Sequence, residues 1–296
     1  MVKRKNGRPR IACEVTANRV VAARVNPEMD AVEAIQSRTF AAGAVVPSLV
    51  GINVAQQEAL REAISGALAD VTARGREIIA ILPDAAVRIA LLDFDSLPDR
   101  KQDADSVVRF RLKKALPFDV EKAGLSYDVQ RTGKTVRVVA AVTQASVLQE
   151  YEEAFRAAGY NPGFVMPSTL AALGAVDGSK PTLVLNVESD TTSVAVLDQD
   201  QLLLFRTLEN SGGANITGER LADDIYPSIV FFQDTYGVNV ERVLVAGVVD
   251  LHNVAPALEM QTGARVQELV TSSQLGVSAG TVQRSELAGV VGALIG

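Results

Sequence analysis

Apolar and polar positions along the chain change period several times, and each change marks an element. "IACEVTANRVVAARV" (11–25) alternates around the polar tip Thr16–Arg19 and predicts a strand, a turn and a strand, with "DAVEAIQSRTF" as a third strand. In "VAQQEALREAISGALADVTAR", Leu60, Ile64, Leu68 and Val71 recur at helical spacing, and "EIIAILP" is a short apolar strand closed by a proline. The texture then shifts. "VRIALLDF" reads as a strand, and "RKQDADSVVRFRLKKAL" as a helix with Val107, Phe110 and Leu112 as its apolar positions, ended at "LPFD". "LSYDVQRTGKTVRVVAAVT" predicts a hairpin turning at Thr132–Lys134, and "ASVLQEYEEAFRAAGYNP" an amphipathic helix ended by Gly159. The block is a β-α-β-β-α unit, and "PSTLAALGAV" leads back from it as a short helix.

The second half repeats the first. "TLVLNVESDTTSVAVL" is another strand–turn–strand, "QLLLFRTL" a third strand, and "SGGANITGERLADDIYPSIVFFQDTYG" a glycine turn opening a helix, with a kink or break expected at Pro227. "RVLVAG" and "RVQEL" are strands, and "SELAGVVGALIG" is a helix of small residues. Glu14 in the first hairpin and Asn186 in the second lie 172 positions apart. The pattern predicts an α/β fold built by duplication: a basic disordered tail over 1–10, a first domain over 11–83 and 163–178, an inserted subdomain over 84–162, and a second domain over 179–296.

Composition removes several classes of function. A formal charge of −6 disfavours nucleic acid as a partner. One cysteine, Cys13, rules out an internal disulfide and suits a buried core position in a reducing compartment. With His252 as the only histidine, sites built on Cys–His or Ser–His–Asp groupings are nearly excluded, and no catalytic or metal-ligating residue is assigned. No apolar run is long enough to span a bilayer. The start, "MVKRKNGRPR", has no apolar core of a secretory signal, and its five cations suit a solvated tail or weak attraction to anionic lipid.

The order of these elements resembles the actin-like ATPase superfamily, whose domains are ribonuclease H-like, in its FtsA/PilM branch. Within that branch, "LPD…VRIALLDFDSLPD…VVRFRLKKALPFDVEKAGLSYDVQ", "YEEAFRAAGYNPGFVMPSTLAALGAV" and "TTSVAVLDQDQLLLFRTLENSGGANIT" resemble PilM-type pilus assembly proteins, over nearly the whole chain. The cytoplasmic part of GspL-type secretion subunits is related. The resemblance implies duplicated actin-like domains with the β-α-β-β-α insertion. It also implies a cytoplasmic role beside the inner membrane: a scaffold of a type IV pilus or secretion platform that binds the cytoplasmic tail of a PilN-type membrane subunit. The membrane is then reached only through that partner. An active actin-fold ATPase or an FtsA-like polymer former is the alternative.

The resemblance also marks a nucleotide cleft, with ATP and Mg²⁺ as the implied ligands, at Glu14, Thr16, Asn18, Asn186, Ser189, Thr191, Thr192, Gly212, Gly213 and Gly247. Several letters depart from the pattern that phosphate chemistry needs. Glu14 stands for an Asp and Thr16 for a Gly in the first hairpin; Asn186 stands for an Asp and Glu188 for a Gly in the second. Asn brings no charge to Mg²⁺. A carboxylate at 188 repels phosphate, by about 4 kcal/mol per unit-charge pair 4 Å apart near a protein surface. After "LVAG", Val248 stands where a second glycine of the adenosine turn belongs. Gly212–Gly213 is intact and is expected to offer helix N–H groups. The expectation is a degenerate site that does not hydrolyse ATP rapidly. The partner surface is placed at Arg109, Arg111, Pro117 and Phe118, where a basic rim beside Phe and Pro suits an extended apolar peptide.

Overall fold

The computed structural model describes residues 8–72, 75–132, 135–276 and 282–296, with residues 131 and 132 described by their backbone alone. The first domain opens with β1 (Ile11–Val15), β2 (Arg19–Val25) and β3 (Val32–Thr39), which pair antiparallel, followed by α1 (Gln57–Val71) and β4 (Glu77–Leu82), which pairs parallel to β1. Next come β5 (Arg88–Phe94), α2 (Lys101–Leu112), β6 (Gly124–Thr132), β7 (Thr135–Thr143) and α3 (Ala145–Ala157). The chain returns through β8 (Asn161–Pro167), parallel to β4, and α4 (Ser168–Ala172). The second domain holds β9 (Thr182–Val187), β10 (Thr191–Asp198), β11 (Gln201–Glu209), α5 (Gly218–Tyr236), β12 (Arg242–Ala246), α6 (Leu251–Thr262) and β13 (Arg265–Glu268), and α7 (Ala288–Ile295) ends the chain.

The two large sheets share one topology. Their orders are β3-β2-β1-β4-β8 and β11-β10-β9-β12-β13, each an antiparallel meander extended by parallel strands. Central strands are buried on both faces, and side-chain alternation sorts their residues. Cys13 and Val15 point outward to a core with α1 and α3, while Ala12 points inward. Leu183, Leu185 and Val187 likewise point outward to a core with α5 and α6, and Val184 points inward. The inner faces meet over α4 and α7, which form one core with both sheets. The same alternation turns Glu14 and Asn186 inward at the ends of β1 and β9.

Small residues make this inner layer possible. A Cβ on Gly292 of α7 would lie 2.2 Å from the carbonyl oxygen of Ala171, and one on Gly174 would lie 2.4 Å from the carbonyl oxygen of Gly292. The backbones of α4 and α7 therefore touch without side chains between them. The basic start is attached from Arg8 onward: its guanidinium donates to the carbonyl oxygens of Ala293 and Gly296, and Arg10 donates to Val25 O at 2.8 Å. The rest of the expected tail, residues 1–7, lies outside the described residues.

Several elements differ from the sequence expectation. The hairpin in the insertion forms, but its turn at Gly133–Lys134 lies outside the described residues. Helix α3, read as the last piece of the insertion, packs Val147, Tyr151, Ala154 and Phe155 into the first domain's outer core. The compact insertion is thus a three-stranded sheet, β5-β7-β6, covered by α2. In α2 the buried positions are Ala104, Val108 and Leu112, a spacing of four, so Phe110 points outward and is 75 % exposed. Helix α5 continues through Pro227 rather than breaking. Strand β8 and helix α6 went unread because prolines interrupt both; β8 lies at a sheet edge, where a missing N–H is tolerated.

The α4–α7 contact admits no Cβ. Gly292→Ala is expected to lower stability by about 2 kcal/mol or more, as overpacking against backbone does. Urea unfolding checks it, and an unchanged midpoint would contradict the contact.

Candidate functional site

The ends of β1, β4 and β9 converge with the start of α4 on one buried polar junction. Ser168 donates through its hydroxyl to Glu14 Oε1 at 2.5 Å. Asn186 Nδ2 donates to Ser168 Oγ and to Thr169 Oγ1, each at 3.0 Å. Thr169 donates its N–H to Asp84 Oδ1 at 3.0 Å, and its hydroxyl donates to Asp84 Oδ2. Glu14, Asp84, Ser168, Thr169 and Asn186 are all buried. Asp84 follows β4, Ser168 and Thr169 open α4, and Asn186 belongs to β9, so the network joins the two domains.

Three carboxyls crowd this junction. Burial raises the Glu14 carboxyl to about 7, against the opposing pull of the Ser168 hydroxyl and the Arg19 charge and with the help of the Asp84 charge. Burial also raises Asp84, although hydrogen bonding to Thr169, Ser193 and Asn186 pulls it down. Glu188 is raised well above the usual range by burial first, then by the charges of Asp84 and Glu14. Glu188 Oε1 accepts from Asp84 N at 3.4 Å and Oε2 from Thr191 Oγ1 at 3.3 Å, so its carboxyl is held at the mouth of the junction. Across the cleft Arg19 is bound to Glu286 at 2.9 Å.

A cleft of ≈260 Å³ opens above these groups, smaller than the roughly 300–1,000 Å³ usual for small-molecule sites. Glu14, Thr16, Asn18, Asn186, Ser189, Gly212, Gly213 and Gly247 line it. Two other expected residues do not. Thr192 pairs with Val187 and, by alternation, faces the second domain's outer core; Ser193, opposite Asn186, is the inward residue. Thr191 turns its hydroxyl to Glu188 beside a separate hollow.

The glycine turn differs most from expectation. Asn210 Oδ1 accepts the N–H of Gly212 at 2.9 Å and of Gly213 at 3.0 Å, and Asn210 Nδ2 donates to Glu188 O at 3.1 Å and Gly213 O at 3.2 Å. The turn does not open α5 directly: a single 3₁₀ turn intervenes, and Thr217 caps the helix by accepting from Arg220 N at 3.3 Å. The N–H of Gly247 donates to Ser285 O at 2.7 Å. Gly247 itself is needed for close approach, since a Cβ there would lie 1.8 Å from Val187 O. Gly289 serves Glu14 similarly, because a Cβ there would lie 2.5 Å from Glu14 Oε1. The carboxyl therefore lies against the first turn of α7, where the helix dipole favours negative charge.

The four residues assigned to a partner surface do not share one cavity. The guanidinium of Arg109 donates to the carbonyl oxygens of Val120 and Ala123 and so holds the insertion together. Arg111 lies over the Phe94 ring, 5.7 Å from its centre, Phe118 packs against the insertion's own core, and Pro117 is exposed. A groove of ≈430 Å³ lies instead between the first half of α2 and β6, formed by Leu97, Pro98, Lys101, Leu125, Tyr127 and Val129 with their neighbours.

No family model and no curated protein matches this sequence. Solved structures do share its shape. The "PilM-PilN type IV pilus biogenesis complex" superposes with a TM-score of 0.79 at 21% identity, over 97% of this chain and 98% of that one. A Bacteroides thetaiotaomicron protein of actin-like ATPase fold and unknown function gives 0.53 at 10% identity, over 90% and 93%. The cytoplasmic domain of EpsL, an inner-membrane component of the Vibrio cholerae type II secretion system, gives 0.51 at 13% identity, over 89% and 98%. The fold is thus the actin-like ATPase fold, in agreement with the resemblance read from the sequence. No helix among the described residues is long and apolar enough to cross a membrane.

The raised carboxyls set a pH dependence. Between the ordinary 4.5 of a glutamate and the value of about 7 for Glu14, the folded state keeps a proton that the unfolded chain has lost. Stability therefore falls as pH rises through that window, by about 3 kcal/mol for a shift of this size. Glu188→Gln removes a carboxyl whose own pKa is raised by burial and by the charges of Asp84 and Glu14. Its stability relative to the parent is expected to grow from pH 5 to pH 8, as read by urea midpoints. A constant difference across that range would contradict the arrangement.

Proposed function

We propose that this chain is a cytoplasmic scaffold subunit of a type IV pilus or related secretion platform, which holds the extended cytoplasmic tail of a PilN-type membrane subunit and reaches the inner membrane through it. The observation that carries the reading is the groove beside β6. Among the described residues that strand has a sheet neighbour on one side only, β7, and its other edge borders the groove. Leu97, Leu125, Tyr127 and Val129 supply apolar surface beside that edge. An edge strand next to an apolar trough suits an extended segment, with backbone hydrogen bonds giving affinity and alternate side chains giving choice. The overall likeness to a structure of a PilM–PilN complex supports the same reading.

The cleft between the domains fits a triphosphate poorly. Its glycine N–H donors are already taken by Asn210, and the place of a phosphate-facing glycine is filled by the Glu188 carboxyl. Asn186 spends its amide on Ser168 and Thr169, and Val248 is buried where a second adenosine glycine would stand. We read the cleft as a degenerate nucleotide site and the protein as a binder rather than a hydrolase. ATP with Mg²⁺ remains the ligand to test, because the frame of that site is kept.

Peptides covering the cytoplasmic tails of single-pass membrane subunits encoded beside this protein are expected to include one that binds with micromolar affinity. It should slow amide exchange over residues 97–129, and Val129→Asp should abolish binding. If every such tail fails to bind, or protection appears elsewhere, the scaffold reading is wrong.

A nucleotide at ten times its Kd would stabilise the protein by about 1.4 kcal/mol and raise Tm by about 2–4 °C. Millimolar ATP–Mg²⁺ is expected to give no such rise. A rise that Gly212→Asp removes would overturn the degenerate reading.

A further inference from the structure

Two exposed aromatic patches on this chain carry opposite charge. On the outer face of α2, Phe110 is 75 % exposed, with Lys113 and Lys114 about one turn further on. From Ser106 to Phe118 the sequence holds Arg109, Arg111, Lys113 and Lys114 and no acid. Arg109 is committed inside the insertion, whereas Lys113 and Lys114 are exposed and make no ion pair among the described residues. This knob lies on the last half of α2, apart from the groove formed by its first half.

The complementary face is on α5. Tyr226 is 53 % exposed, and helical spacing places it in one stripe with Glu219, Asp223, Val230 and Asp234. The only cation in α5, Arg220, is bound to Asp224 at 3.1 Å. Glu219, Asp223 and Asp234 make no ion pair among the described residues.

We propose that knob and stripe are the two halves of one contact between copies of this chain. Phe110 of one copy lies on Tyr226 and Val230 of the next, and Lys113 and Lys114 face Asp223 and Asp234. The argument is complementarity of sign around an aromatic centre on both sides. A chain with a net charge of −6 repels its own copies. Contact between copies therefore needs local cations set against local acids, and α2 concentrates its cations beside an exposed phenylalanine. An anionic lipid surface would suit the knob alone and be repelled by the stripe. The two faces differ, so the contact is heterologous, and opposite charges across it make association sensitive to salt.

Sedimentation velocity of the full chain over a range of concentrations tests this. The expected result is association that rises with concentration and falls with salt. Phe110→Asp should weaken it at least about tenfold, as removal of a central aromatic does. Because Phe110 is exposed, an unchanged thermal melt separates this loss from misfolding. The deciding measurement uses charge reversal. Lys113→Glu with Lys114→Glu, and separately Asp223→Lys with Asp234→Lys, should each be monomeric alone. Their mixture should associate, since the reversed knob of one meets the reversed stripe of the other, and the remaining native knob and stripe also match in sign. A parent that stays monomeric at every concentration overturns the proposal, as does a mixture that associates no more than its components. Phe110-dependent binding to phosphatidylserine vesicles without self-association would assign the knob to a membrane instead and overturn it as well.

Discussion

The structure turns on the hydrogen bonds that Ser168 and Thr169 make in both directions. Each hydroxyl donates to a carboxyl of the first domain, Glu14 or Asp84, and accepts from the single amide of Asn186 in the second. A buried polar group without a partner costs about 1–3 kcal/mol. Five such groups meet here, so the two sheets are held at one separation and one register by the need to satisfy all of them together. An aspartate at position 186 would add a fourth carboxyl and remove both donors. The amide thus lets the two domains close over the carboxyls through hydrogen bonds to Ser168 and Thr169.

That closure supports the proposal that the cleft is a degenerate nucleotide site. Phosphate binding by backbone amides requires N–H groups without internal partners. In this chain Asn210 turns back on the glycine pair and accepts both N–H groups, while its own amide ties that turn to the carbonyl of Glu188. The second hairpin and the glycine turn therefore brace one another. Glu188 sits where its raised carboxyl can exist among Asp84 and Glu14 only with a proton retained somewhere in the group. Each of these residues supports the others, which favours the proposed reading of the cleft as a structural junction over a site kept open for a charged ligand.

Much of this was legible in the sequence where local pattern decides. Strand alternation put Glu14 and Asn186 at matching places in two hairpins, and the duplicated sheet orders follow from those patterns. Residues that act through chain reversal were not legible. Asp84, Ser168 and Thr169 follow a strand or open a short helix, their partners stand 17 to 154 positions away, and nothing in "LPDAA" or "MPSTL" marks them until the topology brings them together. Thr192 was placed on the wrong face by one residue, an error that a strand with polar groups on both sides invites. Asn210 was readable in principle, because Asn two and three positions before a glycine pair is a side-chain-capped turn. On α2, the buried positions step by four through Val108, so Phe110, one of the helix's apolar positions, lies off the buried face.

A row of polar side chains joins the insertion to the second domain. Gln130 of β6, Arg137 of β7 and Asp93 of β5 are direct cross-strand neighbours. Arg137 binds both oxygens of Asp93, at 2.7 and 2.9 Å, and donates to the hydroxyl of Tyr236 at 2.9 Å, which in turn donates to Leu203 O at 2.9 Å. Gln130 meets the backbone of Leu202 at 3.1 and 3.3 Å. Ile89 and Val139 add apolar contact with Leu202 in the shared inner core. Alternation along β6 then divides its labour: Gln130 faces the second domain, whereas Leu125, Tyr127 and Val129 face the groove. The strand that would receive an extended chain is the same strand that is clamped to β11. Movement of the second domain about the Asn186 junction would have to carry β6 with it or break the row. The insertion is therefore braced from behind against β11 and α5 of the second domain.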